Sequence, residues 1–483
     1  MKPETSQSIP GHWIFFLAVF ALALSWPVLY SGHFFVFPDT GSYFRGGEKI
    51  WDVLLRQIQD VLNTSQYGQS MSLAAGDTAA SPLEINDRGR NVSGRSFTYS
   101  AFLTLFNAAG GLIGAVMVQA LLVALMISLL VSTEARQSPL MLVLGAAFLL
   151  ALTGAPWFSS YLMPDIFGAF IVIFGIILVR DVDRLTLWQS ALLIALTGFA
   201  ATTHYGNLPL IVAIVAAALG IRLLRRRLGW KSMVIGLMAL AAAPLVNIGG
   251  STVAFNESSV TPKRLPIVLA RSLADGPALW YLEDVCPEAG FALCEAYGDE
   301  FITDTNEFLW SDRGVLALSA DQLERIRSEE FEVVFGAFLA YPMAQTKAFL
   351  GNGAMQLFRI GTKGLFPAKG LDGNFDPIEP DTDYALKFRM NFDKLVPMAT
   401  FASLAAFVVL AAVLGLSARW VDMIVMLGIG LLANAYIYGG LSSPIDRYQG
   451  RVAWIIPLLL FLYLAERAGQ RRTAGDGRDQ QAA

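Results

Sequence analysis

The sequence is poor in charge. Asp, Glu, Lys and Arg together make up 15% of its 483 residues, against roughly a quarter in a soluble domain. Hydrophobic residues account for 55%, and the mean hydropathy is +0.52. A net charge of −4 is too small to indicate a nucleic-acid partner. This composition excludes an ordinary soluble domain and predicts an all-α polytopic membrane protein whose first partner is the lipid bilayer.

Cysteine is almost absent as well. The only two are Cys286 and Cys294, in the stretch VCPEAGFALC. Both fall in a segment predicted to lie outside the membrane, which indicates an oxidising compartment and a disulfide that closes a small loop. A metal site here needs more ligands than the neighbourhood offers, because no histidine lies near.

The motifs of soluble enzymes are missing too. The sequence has no GxxxxGK[ST] phosphate-binding loop, no HExxH zinc-binding pair and no GxSxG nucleophile elbow. It also has no internal repeat, so an inverted-repeat transporter gains no support. Functional residues must therefore be sought in the membrane helices and their connections.

What the sequence does contain is a series of long apolar runs, which predict about ten transmembrane helices. Their approximate ranges are 12–32, 110–132, 138–156, 158–179, 186–203, 207–225, 232–254, 396–416, 419–440 and 451–467. Lys and Arg concentrate in every second connection, at residues such as Arg136, Arg184 and Arg419, and in the C-terminal tail. The positive-inside rule then places both termini in the cytoplasm. The expected location is a bacterial-type inner (plasma) membrane.

This topology divides the chain into three regions. Residues 1–254 form an N-terminal transmembrane module that includes a long outer loop, 33–109. Residues 255–395 form a second long segment at the outer face, and 396–483 form the last helices with a basic tail. The first apolar run lacks an A-x-A-like cleavage site and is longer than a signal-peptide core, so it is expected to be retained.

The first outer loop divides into two parts. Residues 43–62 place apolar side chains at helical spacing between polar ones, which predicts an amphipathic helix at the membrane interface. Residues 63–93 are small and polar and predict a loop. The stretch SFTYSAFLTLFNAAGG then opens another apolar helix, either a short re-entrant helix or the front of a long span.

The second outer segment is long enough for a small folded unit. Ser319 and Gln322 form a capping box that opens a helix, which Pro342 interrupts. Beyond it, FPAKGLDGNFDPIEPDTDY is rich in Gly, Pro and Asp and predicts an irregular loop.

Polar residues gather at the predicted outer ends of the helices, near the level of the lipid headgroups. They are Asp39, Arg95, Tyr161, Asp165, His204, Tyr205, Asp446, Arg447, Tyr448 and Arg451. Ionisable groups at this depth are costly unless they are paired or solvated, which favours a functional site.

Each of these residues also has a structural alternative. Asp165 follows Pro164 in the first turn of a helix, where an acid suits the helix dipole. His204 also fits an ordinary interfacial histidine, and Arg447 and Arg451, one turn apart, also fit side chains that extend towards headgroups. Asp39 is the hardest to explain in this way, because a turn made by Pro38, Gly41 and Ser42 is predicted around it instead of a helix start.

The layout resembles the GT-C superfamily of polyprenyl-phosphate-sugar-dependent membrane glycosyltransferases. The resemblance rests on the acid in FPDTGSY directly after the first helix and on the long outer loop with an amphipathic helix. It rests further on YLMPDIFGAF at the start of a middle helix and on DRYQGRVAWIIPLL near the last one.

The resemblance implies sugar transfer from a polyprenyl-phosphate donor to a glycan, lipid or protein acceptor at the outer face of the membrane. Asp39 would be the catalytic base, and Arg447, Arg451 and Arg95 would bind the donor phosphate. The acceptor pocket would be shaped by Tyr43, Tyr161, Asp165, His204 and Tyr448. No cofactor is demanded, and a divalent metal at Asp165 and His204 stays an open alternative.

Two other functions compete with this one. A transporter or flippase of a lipid-linked or anionic substrate would need polar residues at the bilayer midplane, for which Asn247 and Asn434 are the candidates. A non-catalytic membrane scaffold would instead use the cysteine-bearing outer segment to bind a partner.

Overall fold

A computed structural model describes residues 11–66, 94–132, 138–180, 182–255, 257–286, 288–380 and 384–482. Within these ranges the chain is mainly helical. The helices are α1 (Gly11–Leu24), α2 (Trp26–Ser31), α3 (Thr40–Gln66), α4 (Phe97–Ser132), α5 (Pro139–Leu152), α6 (Ala155–Ser159), α7 (Phe167–Arg180), α8 (Leu187–Thr202), α9 (Asn207–Leu224), α10 (Trp230–Phe255), α11 (Ile267–Asp275), α12 (Pro277–Val285), α13 (Ala292–Tyr297), α14 (Thr305–Trp310), α15 (Ala320–Ala340), α16 (Pro342–Phe358), α17 (Tyr384–Leu414), α18 (Ala418–Ala435), α19 (Asp446–Ala453) and α20 (Ile455–Ala482). Of the predicted loop, 63–93, residues 63–66 belong to α3 instead. Residues 67–93 and the connection that holds Arg136 lie outside the described residues.

Six stretches of the described helices are long and apolar enough to cross a membrane. They are Phe97–Ser132, Asn207–Leu224, Trp230–Val253, Leu386–Leu414, Ala418–Gly440 and Asp446–Arg471. Shorter apolar helices occupy Phe15–Leu24, Pro139–Leu152 and Leu187–Thr202. The chain is therefore an all-α, multi-pass membrane protein, and the number of ten crossings stays a prediction.

Helix α7 lies at the centre of the bundle. All fourteen of its residues are buried, and small residues let its neighbours approach closely. A Cβ on Gly175 would lie 2.6 Å from an Ile214 methyl carbon, and one on Gly430 would lie 2.7 Å from a Val172 methyl carbon. Helices α9 and α18 therefore pack directly on α7, which is apolar on every side because it faces protein on every side.

The polar residues of the bundle divide between its two ends. At one end Arg222 pairs with Asp183, Arg225 with Asp422, and Arg419 with Glu466. This end holds the arginines that the positive-inside rule assigned to the cytoplasm. The opposite end, here called the site end, holds the residues next to the starts of α3, α7 and α9 and the end of α18.

Helix α4 contains the stretch that the sequence left open as a short re-entrant helix or the front of a long span. It is two helices joined at Gly110 and Gly111, whose backbone angles are not helical; Gly111 has φ 66°. Its front part packs on α3, where Gly47 leaves room for the Ser100 carbonyl and the Thr104 side chain. Trp51 of α3 adds a hydrogen bond from its ring N–H to the Ala101 carbonyl, 3.1 Å away. The predicted amphipathic helix is thus present and docks on α4.

The second outer segment has a hydrophobic core of its own. That core includes Leu269, Leu282, Phe308, Ile326 and Val333. The Ser319–Gln322 capping box is formed as predicted, and the chain bends by 111° between α15 and α16. The two cysteines are bonded, with their Cα atoms 5.6 Å apart, so the predicted disulfide is confirmed.

One sequence prediction for this segment is wrong. The stretch taken as an irregular loop contains three short strands: β2 (Phe366–Ala368), β3 (Gly370–Leu371) and β4 (Pro377–Ile378). β3 pairs with β4, and β2 pairs antiparallel with β1 (Phe34–Val36) from the other end of the sequence. Such pairing between distant short strands leaves no local pattern of alternation to read.

Helix α17 begins at Tyr384, within the stretch 255–395 that the sequence assigned to the outer segment and before the predicted span 396–416. Two charged side chains near its start are paired. Arg389 lies 3.2 Å from Asp393, and Thr362 donates a hydrogen bond to Asp393. Two neutralised charges let the helix start well before the apolar run does.

Candidate functional site

Asp39 stands directly before α3. Its backbone carbonyl accepts the N–H of Tyr43 at 3.2 Å, so it begins the helix. Asp39 is in a turn, as the sequence predicts, and this turn leads directly into α3, whose first turn includes Gly41 and Ser42. The approach to Asp39 is fixed by Thr40, whose hydroxyl accepts the N–H of Phe37 and donates to the Leu162 carbonyl.

The carboxylate of Asp39 faces Arg95. Arg95 Nη2 lies 2.6 Å from Asp39 Oδ1, and each side chain keeps about a fifth of its surface exposed, 18% and 20%. The other side of the guanidinium lies over the ring of Trp310, 4.8 Å from its centroid. Arg95 thus joins the acid after the first membrane helix to the outer segment.

Asp165 forms a second ion pair, deeper in the protein. Arg447 Nη1 lies 3.3 Å from Asp165 Oδ2, and both side chains are buried, at 7% and 3% exposure. Arg447 also packs its guanidinium 3.9 Å above the ring of Phe37 and 5.0 Å from that of Tyr448. Asp165 therefore does more than cap a helix, because it neutralises a buried arginine.

Arg451 is completely enclosed. Its guanidinium donates to Asn434 Oδ1 at 2.9 Å and stacks on the Tyr438 ring at 3.8 Å. Gly168 of α7 faces it so closely that a Cβ there would lie 2.9 Å from Arg451 Nε. Its charge acts on the site from inside the bundle, because its side chain does not reach the surface.

His204 lies next to Tyr438, the ring on which Arg451 stacks. Its Nδ1 accepts the N–H of Gly206 at 3.0 Å and lies 3.2 Å from the Tyr438 hydroxyl, whose single proton goes either to this nitrogen or to Asn207 Oδ1. Burial lowers the pKa of His204 well below its usual range, and the positive charges of Arg451, Arg447 and Arg95 lower it further. The imidazole is therefore neutral at physiological pH and accepts hydrogen bonds at Nδ1.

The two ion pairs lie close together, because Arg447 stacks on Phe37, two residues before Asp39. Burial raises the pKa of Tyr43 far above its usual value, and the residues whose charges act on it are Arg95, Asp39, Asp165 and Arg447. Its ring packs edge-on against that of Tyr99, with centroids 5.1 Å apart. One buried phenol thus lies within electrostatic reach of both pairs.

Tyr161 and Tyr448 complete the predicted set. Tyr161 pairs by a backbone bridge with Phe35 and donates its hydroxyl to the Gly364 carbonyl at 3.2 Å. Burial raises the pKa of Tyr161 well above its usual value, so the hydroxyl keeps its proton. Tyr448 lies 4.9 Å from the Tyr438 ring and supports both Arg447 and Arg451. The structure thus brings every predicted site residue to the site end.

Sequence reasoning missed four residues of this cluster as site residues. They are the aromatic partners and the amide that hold the arginines: Phe37, Trp310, Tyr438 and Asn434. Phe37 and Trp310 contact arginines of elements distant in sequence, whereas Asn434 and Tyr438 contact Arg451 across the turn between α18 and α19. A pattern read along the chain does not single out these contacts.

The cluster carries an excess of positive charge. Three arginines, at positions 95, 447 and 451, meet two acids, Asp39 and Asp165. Several of their polar atoms are buried without a hydrogen-bond partner: Asp165 Oδ1, Arg447 Nε, Arg451 Nη1 and Arg95 Nε. The unused N–H groups of the arginines can donate hydrogen bonds to a phosphate, and the excess positive charge attracts its negative charge.

A metal ion has less support. Among the residues that the structure describes, no group of three or more His, Cys, Asp or Glu side chains is arranged to hold one. The Nδ1 of His204 is engaged by Gly206 and Tyr438, and Oδ2 of Asp165 by Arg447. These residues do not fit the metal site that the sequence left open.

No protein-family model, curated protein or solved structure matches this chain. The site therefore has to be interpreted from its own geometry.

Proposed function

We propose that the protein is an integral membrane glycosyltransferase that moves a sugar from a polyprenyl-phosphate donor to an acceptor at the outer face of a bacterial-type inner membrane. The observation that carries the proposal is the proximity of the Asp39–Arg95 and Asp165–Arg447 pairs, since Arg447 stacks on Phe37, two residues before Asp39. The site then contains a partly exposed carboxylate beside guanidinium groups, at one end of a bundle of apolar helices. A lipid-linked donor suits this position, because its chain stays in the bilayer while its head reaches the cluster.

The chemistry needs one base and one anion site. Asp39 accepts the proton of the acceptor hydroxyl, whose oxygen attacks the anomeric carbon of the sugar while the bond from that carbon to the phosphate oxygen breaks. Polyprenyl phosphate leaves with the electron pair of that bond, and its negative charge is stabilised by arginine. Because attack and departure occur on opposite faces of the sugar, the product has inverted configuration.

The three arginines contribute differently. Arg95 is the most accessible of them and presents its guanidinium beside Asp39, which makes it the leading phosphate ligand. Arg447 contributes from a buried position next to Asp165. Arg451 adds positive charge without touching the donor, because it is enclosed by Asn434 and Tyr438.

The test is Asp39→Asn in the purified protein, reconstituted in liposomes with polyprenyl-phosphate hexose and pentose donors and a cell-envelope extract as acceptor. Transfer is expected to fall by about 10²- to 10⁴-fold, while the protein stays in the membrane. Asp376→Asn is the matched control, because Asp376 is a more exposed acid paired with Arg45 at 3.5 Å. Full activity in Asp39→Asn would refute the base assignment.

The transport alternative gains no support from the two asparagines that suggested it. Asn247 donates to the Val260 carbonyl at 2.9 Å, and Asn434 donates to the Tyr448 carbonyl and accepts from Arg451. Both are engaged inside the protein. Flux of polyprenyl-phosphate sugar across the liposome membrane without sugar transfer would favour transport over the proposed reaction.

A further inference from the structure

Arg95 has a fixed backbone and a side chain with unused hydrogen-bond donors. The Gly94 N–H bonds the Lys263 carbonyl, and a Cβ on Gly94 would lie 2.1 Å from the Pro262 carbonyl oxygen. The Tyr205 hydroxyl lies within hydrogen-bond distance of the carbonyls of both Arg95 and Pro262. Residues 94 and 95 are therefore held against the outer segment, and only the side chain of Arg95 is left to move.

The guanidinium has two contacts of different kinds. To Asp39 it offers a single nitrogen, Nη2, while Nε is buried without a partner. To Trp310 it offers its face, which uses none of its N–H groups. A phosphate binds arginine through two parallel hydrogen bonds, so it competes well against the single contact with Asp39 and leaves the contact with Trp310 in place.

We propose that Trp310 is a positioning residue that holds Arg95 while the guanidinium passes from Asp39 to the phosphate of the lipid donor. This inference rests on the proposed function and gives it an order of events. Before the donor binds, Arg95 occupies the carboxylate of Asp39. Once the phosphate has taken Arg95, the carboxylate is free to accept the proton of the acceptor hydroxyl. The base thus becomes available only after the donor has arrived.

The inference also assigns a role to the outer segment. Trp310 is the last residue of α14, which packs in the second hydrophobic core. Asp39 lies instead at the start of α3 beside the membrane helices. Arg95 therefore spans the boundary between the two, and the outer segment takes part in donor binding through one ring.

The experiment uses the full-length protein in nanodiscs with 5-fluorotryptophan and follows the ¹⁹F resonance of Trp310 while polyprenyl phosphate is added. Trp310→Phe assigns the resonance, and polyprenol, which lacks the phosphate, is the matched ligand control. The resonance is expected to move with polyprenyl phosphate and to stay in place with polyprenol. No movement, or equal movement with both lipids, would overturn the proposal.

Affinity gives the second measurement. Trp310→Ala is expected to weaken polyprenyl phosphate binding by about 2- to 5-fold, the value of one exposed cation–π contact, and Trp310→Phe is expected to restore most of it. Trp280→Ala is the control, since Trp280 lies in the same segment and packs against Tyr341.

If Trp310→Ala binds as Trp280→Ala does, the positioning role fails, even where transfer still depends on Asp39. If the resonance and affinity respond but no donor supports transfer, the proposed reaction fails and the phosphate contact stands.

Discussion

Arg95 Nη2 lies 2.6 Å from Asp39 Oδ1, although 56 residues separate the two along the chain. The carboxylate proposed as the base is therefore held by a cation. On the proposal above, Asp39 and a phosphate compete for Arg95, and this competition can be measured.

Asp39→Asn should bind polyprenyl phosphate more tightly than the unmodified protein, by a few fold, although it does not transfer sugar. The reason is that the substitution removes the carboxylate that competes for Arg95, whereas a neutral amide competes weakly. Equilibrium binding in nanodiscs measures it, with Arg95→Ala expected to bind more weakly and Asp376→Asn to bind unchanged. Weaker binding by Asp39→Asn would show that the two contacts of Arg95 do not compete.

Asp165→Asn should destabilise the protein by about 3 kcal/mol, because it leaves Arg447 buried without its counter-charge. Thermal unfolding in detergent measures the loss. The double variant Asp165→Asn/Arg447→Gln should recover part of it, since it removes the unpaired charge as well. Asp376→Asn, which breaks an exposed pair, should cost less than about 1 kcal/mol. An equal cost for the two single variants would contradict the assignment of Asp165 as a buried partner.

Stability should decrease as the pH falls below about 6.5, the ordinary pKa of histidine. The folded protein keeps His204 neutral, because burial and then the nearby arginines lower its pKa. The unfolded chain takes up a proton in this range and the folded chain does not, so acid favours unfolding. Above the ordinary pKa His204 is neutral in both the folded and the unfolded state, so its contribution no longer changes with pH.

Unfolding temperatures between pH 5 and 7.5 test this dependence. His204→Gln should flatten it, whereas His33→Gln, at a ring bonded to the Ser31 carbonyl, should leave it as it is. A profile for His204→Gln parallel to that of the unmodified protein would rule out His204 as the source.

Gly47→Ala should separate α3 from α4. A Cβ at this position would lie 2.3 Å from the Ser100 carbonyl oxygen and 2.4 Å from Thr104 Oγ1, and backbone atoms of a packed helix do not yield easily. A loss of about 1–3 kcal/mol is expected. Gly249→Ala in α10 is the control, because nothing lies within 4 Å of its added Cβ, and it should be neutral or slightly stabilising. Unfolding temperatures of the two variants test this difference, and equal temperatures would show that the contact between α3 and α4 does not depend on Gly47.

Features with a local cause could be predicted from the sequence. Long apolar runs specify membrane helices, and the Ser319–Gln322 capping box opens α15 because both of its bonds form within one turn. Two cysteines in one short loop were enough to predict their bond. Alternating Lys and Arg also led to the expectation that Asp39, Asp165 and His204 share one end of the bundle, which is where the structure has them.

Features that depend on distant partners could not be predicted. Nothing near Arg95 in the sequence points to Trp310, and nothing near Arg451 points to Asn434. The start of α17 was misjudged for a different, local reason. The start of α17 depends on the pairing of Arg389 with Asp393, which neutralises charges that a hydropathy plot counts at full cost.

The pairing of β1 with β2 sets the time at which the site can form during synthesis. Phe34 pairs with Ala368, and Val36 with Phe366, and this pair of strands leads directly into the turn before Asp39. The ribosome adds about 5 to 20 residues per second, so β1 waits roughly a quarter of a minute to a minute for its partner. By then the residues of α4 to α10 have been synthesised. The carboxylate proposed as the base is thus made long before the strand that fixes the turn beside it.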